Sequence, residues 1–270
     1  PQNFNIRIGE KMDYLSFAFI AFLTVFVCVY FIVKREIRYA VLFAGSYFFY
    51  GYANPKMLIV LICVTAISYV GGLLIEKWKS RAAFVLSFSL EILLLVGFKY
   101  TNFILSNINL ISGKLLSRNL LNIDWNIVLP IGLSFMVFQA CGYLSDVYRG
   151  NIKAERNIIR YATFVAFFPT VLSGPIQKAR NLLPQLTAPK QFDYDDAKAG
   201  TMLFIWGAFE KIMVANRLSL IYSSILGSYQ YRSSAEILIG AVCFSLYIYA
   251  DFSSYSDMAR GVSKLLGIDV

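Results

Sequence analysis

The sequence predicts an all-α integral membrane protein that crosses the bilayer several times. Three observations carry that prediction. The 270 residues are 58% hydrophobic, 16% aromatic and only 15% charged, with a mean hydropathy of +0.60, whereas soluble domains carry about 25% charged residues. A large soluble core would not remove the need for a polar exterior; a lipid-facing exterior does, because a charge at the bilayer centre costs several kcal/mol. Apolar runs of about one bilayer thickness recur along the chain. The basic residues stand in short clusters between those runs, not on a soluble domain.

The runs follow in order. Residues 15–33 form a first membrane-length helix, too long and too aromatic for a signal-peptide core. Lys34-Arg35-Glu36-Ile37-Arg38 ends it. A shorter aromatic segment, 39–53, closes at Asn54-Pro55. Residues 57–75 and 82–98 are two further spans, separated by Glu76-Lys77-Trp78-Lys79-Ser80-Arg81. An asparagine-rich stretch, 101–126, reads as a polar connection, and 127–144 as a fifth span. Residues 161–173 are apolar but too short to span comfortably, and Pro169 and Gly174-Pro175 interrupt them. Such a segment predicts a broken or re-entrant helix, tolerated only where it lines a cavity or is buried in protein. A loop with Pro184 and Pro189 covers 180–198, two spans cover 200–216 and 235–250, and 251–270 is amphipathic. We expect about seven or eight membrane segments in a single domain, 15–270. Residues 1–14 read as an N-terminal extension, with Met12 a plausible native start.

The net charge of +9 is topological in this reading, and nucleic-acid binding is excluded as a class because the bases are scattered between apolar runs. With the N-terminus outside, the loops 34–38, 76–81 and 145–160 face the cytoplasm. They hold Lys34, Arg35, Arg38, Lys77, Lys79, Arg81, Arg149, Lys153, Arg156 and Arg160. The longer outer parts hold Arg7, Lys11, Lys56, Lys99, Lys114 and Arg118. That bias favours N-out.

The chain contains no histidine, which removes Ser–His–Asp and Cys–His catalysis and the commonest metal ligand. Cys28, Cys63, Cys141 and Cys243 sit inside apolar runs without CxxC spacing, so neither a disulfide nor a metal site is expected. Polar residues inside the spans are therefore the informative ones. Glu91 lies in the middle of 82–98, a functional candidate by default and otherwise a protonated or paired structural acid. Gln139, Tyr143 and Asp146 stand at i, i+4 and i+7 and share one helix face, as a polar seam between helices or as a site. Glu210 and Lys211 are adjacent and need separate partners. The densest signal is Asp251-Phe-Ser-Ser-Tyr-Ser-Asp-Met258, after an apolar run. If helical, it puts Asp251, Ser254 and Tyr255 on one face and Ser253 and Asp257 on another, which suits a water-accessible cavity.

Four stretches, in order, resemble the membrane-bound O-acyltransferase family in its bacterial alginate O-acetyltransferase branch. They are Leu129-Pro-Ile-Gly-Leu-Ser-Phe135 with Phe138-Gln139 and Tyr143-Leu-Ser-Asp-Val-Tyr-Arg-Gly150; Phe167-Phe-Pro169 with Ser173-Gly-Pro-Ile176; Gly207-Ala-Phe-Glu-Lys-Ile-Met-Val-Ala-Asn-Arg-Leu218; and Asp251-Phe-Ser-Ser-Tyr-Ser-Asp-Met-Ala259. Phe48-Phe-Tyr-Gly-Tyr52 and Phe98-Lys-Tyr-Thr-Asn-Phe103 fit as well. The resemblance implies a helical core with broken or re-entrant helices. It implies transfer of an acyl group, most simply acetyl, from a cytoplasmic thioester donor (acetyl-CoA or an acyl carrier protein, with no bound cofactor) to a cell-surface polysaccharide or an extracytoplasmic relay partner. On this basis Gln139, Tyr143, Asp146, Gly174, Pro175, Gln177, Asp251, Ser253, Ser254, Tyr255 and Asp257 are the candidate walls of a substrate tunnel. The family's catalytic histidine belongs to a Trp-His stretch beyond the Asp-Phe-Ser motif, which these residues do not include, so no catalytic residue is assigned and 1–270 alone is expected to be inactive. A transporter or channel subunit and a non-catalytic membrane fragment are the competing readings.

Overall fold

The structure is a computed structural model that describes residues 13–53, 55–116, 130, 132–171, 174–188 and 191–270. Met12 and everything before it, Asn54, the connection 117–129, Ile131, Ser173 and Pro189 lie outside the described residues.

Every regular element described is helical. In chain order these are α1 (Phe17–Ile32), α2 (Arg38–Ala53), α3 (Met57–Trp78), α4 (Arg81–Leu116), α5 (Leu133–Tyr148), α6 (Ile158–Val165), α7 (Phe168–Val171), α8 (Ala179–Thr187), α9 (Tyr194–Phe209), α10 (Asn216–Leu226) and α11 (Ser234–Leu265). Among the described residues α3, α4 and α11 are long and apolar enough to cross a membrane; α1 and the Ile158–Val171 stretch are apolar but shorter. Side-chain oxygens at the helix starts meet amides the helix cannot: Ser16 caps α1, Asn157 caps α6, Asp193 caps α9, and Ser233 forms a reciprocal capping box with Glu236 at α11.

Two helices run further than the hydropathy pattern predicts. The span 82–98 does not stop at Lys99-Tyr100: α4 continues to Leu116 through the first part of the expected polar connection. Its polar side chains turn inward on the helix. Thr101 donates to the Gly97 carbonyl, Ser106 to that of Phe103 at 2.9 Å, and Asn107 to the same oxygen at 2.7 Å. Each therefore brings its own partner into an apolar setting. The second correction concerns the Asp251 motif. It does not follow a helix but lies inside α11, which continues to Leu265.

Two packing units meet across the molecule. In the first, α3, α4 and α5 pack together with α6. Gly71 and Gly72 on α3 permit this: a Cβ on Gly71 would lie 2.5 Å from Ser87 Oγ on α4, and one on Gly72 would lie 2.6 Å from Tyr143 Oη on α5. In the second, α9, a π-helical segment at Glu210–Ala215, and α10 make one long rod antiparallel to α11. At about 1.5 Å per residue the rod is about 50 Å long. Gly200 meets Gly261, where a Cβ would lie 2.7 Å from the partner's carbonyl oxygen, and Gly207 meets the Ser254 carbonyl. These small residues bring two backbones into direct contact, the interaction that holds helices together where lipid removes the hydrophobic driving force.

An aromatic core of Phe19, Phe22, Phe26, Phe49 and Phe168 links α1, α2 and α7. The 158–171 stretch is broken as expected: α6 ends at Val165 and α7 is a single turn beginning just before Pro169. From Tyr161 onward both pieces are buried in protein, the setting in which an interrupted helix is tolerated at membrane depth. The three basic loops gather at one end of the bundle. Arg156 pairs with Glu76 at 2.9 Å, Tyr69 donates to the Arg156 carbonyl at 2.7 Å, and the Arg160 guanidinium lies over the Tyr39 ring at 5.1 Å.

Candidate functional site

The π segment decides where the polar residues of the rod point. An α-helix with one residue inserted rotates everything after the insertion, and such segments recur at functional sites. Here it carries Lys211 onto Asp251 of α11, and the two form an ion pair that is mostly shielded from solvent. The same ammonium lies 4.8 Å from the centre of the Tyr255 ring, one turn further along α11. Tyr255 Oη donates to Asp13 Oδ1 at 3.2 Å. Four polar groups from three parts of the chain thus converge: Asp13 before α1, Lys211 in the rod, and Asp251 and Tyr255 on α11.

Tyr14 ties this cluster to the broken helix. Its ring is fully buried, 5.8 Å from that of Tyr255, and its hydroxyl donates to the Pro169 carbonyl at 2.8 Å. Burial first, and then the neighbouring Tyr255 and Asp13, push its ionisation well above the usual range, so it remains a donor. Tyr14 thus caps the buried carbonyl of Pro169 itself, next to the break. Asp13 and Tyr14, the last residues of the stretch read as an extension, are built into the helical domain.

The other tunnel candidates fall into two groups. Gly174 lies against α11, where a Cβ would come within 3.0 Å of Ala259 Cβ, and the buried Gln177 side chain donates to the Pro175 carbonyl at 3.0 Å. This segment flanks the same helix that carries Asp251 and Tyr255. On that helix Ser254 is buried and returns its hydroxyl to the Asp251 carbonyl at 2.8 Å, Ser253 is half-buried, and Asp257 faces Arg260 at 3.6 Å. The α5 face is separate and already engaged. Gln139 donates to the Phe164 carbonyl at 2.5 Å, Tyr143 Oη accepts the Glu155 amide at 3.1 Å, and Asp146 accepts from Asn151 at 3.0 Å. These three contacts fasten α5 to α6 and to the loop between them.

Lys211 and Asp13 are the site residues that sequence reasoning did not assign. Lys211 stood out only as half of an adjacent Glu–Lys pair; the signal was an intramembrane cation 40 residues from an intramembrane acid. Asp13 carried no signal beyond being an acid at the start of a span. One apolar groove of about 600 Å³ lies between α1 and α2, lined by residues such as Ala21, Phe26, Gly45 and Phe48. No acid or base lines it, so it offers no chemistry. No cluster of three His, Cys, Asp or Glu side chains able to hold a metal exists among the described residues.

A multi-helix membrane protein with a broken, protein-buried helix beside an intramembrane acid–lysine–tyrosine cluster is the class that fold and site define. No family model matches the chain. Curated relatives do. The chain is 32% identical to the probable alginate O-acetylase AlgI of Pseudomonas aeruginosa and 31% identical to that of Pseudomonas syringae pv. tomato, in each case over 91% of this chain and 48% of the relative. It is 28% identical to a peptidoglycan O-acetyltransferase of Helicobacter pylori, over 83% of this chain and 47% of the relative. Over most of its length the chain resembles these O-acetyltransferases. It spans about half the length of the curated relatives it matches.

Proposed function

We propose that these residues form helical walls of an O-acyltransferase that moves an acyl group, most simply acetyl, from a cytoplasmic thioester across the membrane to a cell-surface polysaccharide or to a relay partner. The observation that carries this reading is the convergence of Lys211, Asp251, Tyr255 and Asp13 beside the interrupted α6–α7 segment. Interrupted backbone at membrane depth belongs beside a cavity or inside protein, and a thioester and an alcohol both need a polar path through the bilayer. In the orientation we propose, the N-terminus is outside and the three basic loops meet the donor in the cytoplasm. In this reading the ammonium of Lys211, held by Asp251, supplies the positive charge that a thioester carbonyl needs as it gains negative charge, and Tyr255, whose hydroxyl is donated to Asp13, positions that ammonium with its ring.

The residues 1–270 contain no histidine, and Asp251 is paired with a lysine, so neither is a free base for the acceptor hydroxyl. Base catalysis contributes about 10²–10⁴-fold; in this reading that group comes from a histidine outside these residues. The test is acyl release from a radiolabelled thioester donor by purified 1–270 and by a form extended through the downstream histidines. Turnover is expected only from the extended form. Equal turnover by both would place the base within 1–270 and defeat the mechanism; no turnover by either, with acetyl-CoA and with acyl carrier protein, would defeat the acyltransferase reading.

A further inference from the structure

Away from that cluster, a second set of polar groups is buried in the α3–α4–α5 unit. Glu91 lies ten residues into α4, about 15 Å from its start at helical rise, which is the middle of a hydrocarbon core about 30 Å thick. Its side chain is completely buried, and neither carboxyl oxygen has a hydrogen-bond partner. The hydroxyl of Tyr161 on α6 is also buried and unpartnered. Ser68 of α3 stands beside both, but its proton is donated to the Val64 carbonyl at 2.6 Å, which leaves its oxygen free to accept or to ligate. The remaining neighbours are neutral: the Cys141 thiol and the Tyr143 phenol, both from α5. The Tyr143 and Tyr161 rings are 4.6 Å apart.

Buried polar atoms are almost always paired, and several orphans in one place call for a specific partner. A bare carboxylate at the bilayer centre has no such partner here: none of the ion pairs among the described residues involves Glu91, and every group facing it is uncharged. The missing partner must be positive, must carry a single charge to balance one carboxylate, and must suit oxygen ligands. We propose that Glu91, Tyr161 and Ser68 form an intramembrane binding site for one monovalent cation, filled by a proton or by sodium. A proton on Glu91 removes the uncompensated charge and gives the side chain an O–H to donate to the neighbouring Ser68 oxygen. Sodium would be ligated by the carboxylate and the two hydroxyl oxygens. A divalent ion is a poor match, because a lone carboxylate leaves it half-neutralised.

The experiment is infrared difference spectroscopy of the full-length protein in lipid nanodiscs at neutral pH, wild type against Glu91→Gln, with choline chloride and then sodium chloride as the salt. In choline the wild type is expected to show the carbonyl stretch of a protonated carboxylic acid that Glu91→Gln lacks. Persistence of that band in sodium assigns the proton; its replacement by carboxylate bands, with a sodium-dependent rise in melting temperature absent from Glu91→Gln, assigns sodium. Tyr161→Phe is expected to move the acid band, since a buried hydroxyl is removed from its surroundings. Carboxylate bands in both salts with no response of stability to sodium would overturn the site, and an acid band unmoved by Tyr161→Phe would overturn the assigned ligand set. Carboxyl-¹³C glutamate identifies the band without substitution should Glu91→Gln fail to fold.

Discussion

Lys211 and Asp251 are 40 residues apart in sequence and form a direct ion pair between the α9–α10 rod and α11. The π segment that starts one residue before Lys211 sets this contact. Each charge alone would be costly at membrane depth; together they fasten the α9–α10 rod to α11.

Breaking the pair on one side should cost more than removing it altogether. Lys211→Met or Asp251→Asn alone is expected to destabilise by about 1–3 kcal/mol, because a desolvated charge is left without its partner. The double variant should recover most of that loss. Thermal unfolding in detergent, followed by size-exclusion chromatography, completes the cycle. Additive losses in the double variant would mean that the two side chains are not coupled.

The helix crossing makes a sharper contrast. Gly261→Val puts two methyl groups and a Cβ against the Gly200 carbonyl and the Phe204 amide, both 2.7 Å from the Cβ position. Overpacking usually costs about 1–3 kcal/mol, and backbone on both sides puts this site at the upper end. Gly142→Ala on α5 meets nothing within 4 Å and is expected to be neutral or to gain about 0.5–1 kcal/mol from helix propensity. The two melting temperatures, read side by side, check both.

Topology can be tested at the paired loops. Cysteines placed singly at Lys79 and Arg156, on an otherwise cysteine-free background, should react with a membrane-impermeant maleimide only after the cells are opened. The Arg156–Glu76 pair requires both to lie on the same side. Labelling of both in intact cells would reverse the N-out orientation, and labelling of one alone would contradict the packing of these loops.

In the extended, active form, Tyr255→Phe should lower acyl transfer by roughly ten- to hundredfold, the scale expected when a positioned group shifts by about 1 Å. It should leave the stability within about 1 kcal/mol of wild type, since only one hydrogen bond, to Asp13, is lost. Transfer assays with the labelled thioester read the first quantity and calorimetry the second. Unchanged transfer would remove Tyr255 from the acyl path.

The helical membrane class, the break near Pro169 and the clustering of basic residues between spans were all legible from local chemistry. Hydropathy reports whether a stretch can lie in lipid, proline reports a missing donor, and basic residues avoid the bilayer centre; none of these depends on distant contacts. The order of motifs was enough to point to the O-acetyltransferases that the chain resembles. The ends of α4 and α11 were not legible, because hydropathy treats Thr101, Asn107 and Asp251 as exits from the membrane. In the fold the first two bond back to their own helix and the third finds Lys211. The same limit applied to the site. Periodicity put Gln139, Tyr143 and Asp146 on one face but did not say whether that face meets a cavity or a neighbour's backbone. It gave Lys211 and Asp13 no role, because an ion pair or a hydrogen bond between distant segments exists only once the helices are packed. Side-chain type and spacing determined what this protein can be made of, whereas which polar groups meet was decided by helix crossings that depend on Gly200 and Gly261 and on one inserted residue in a rod.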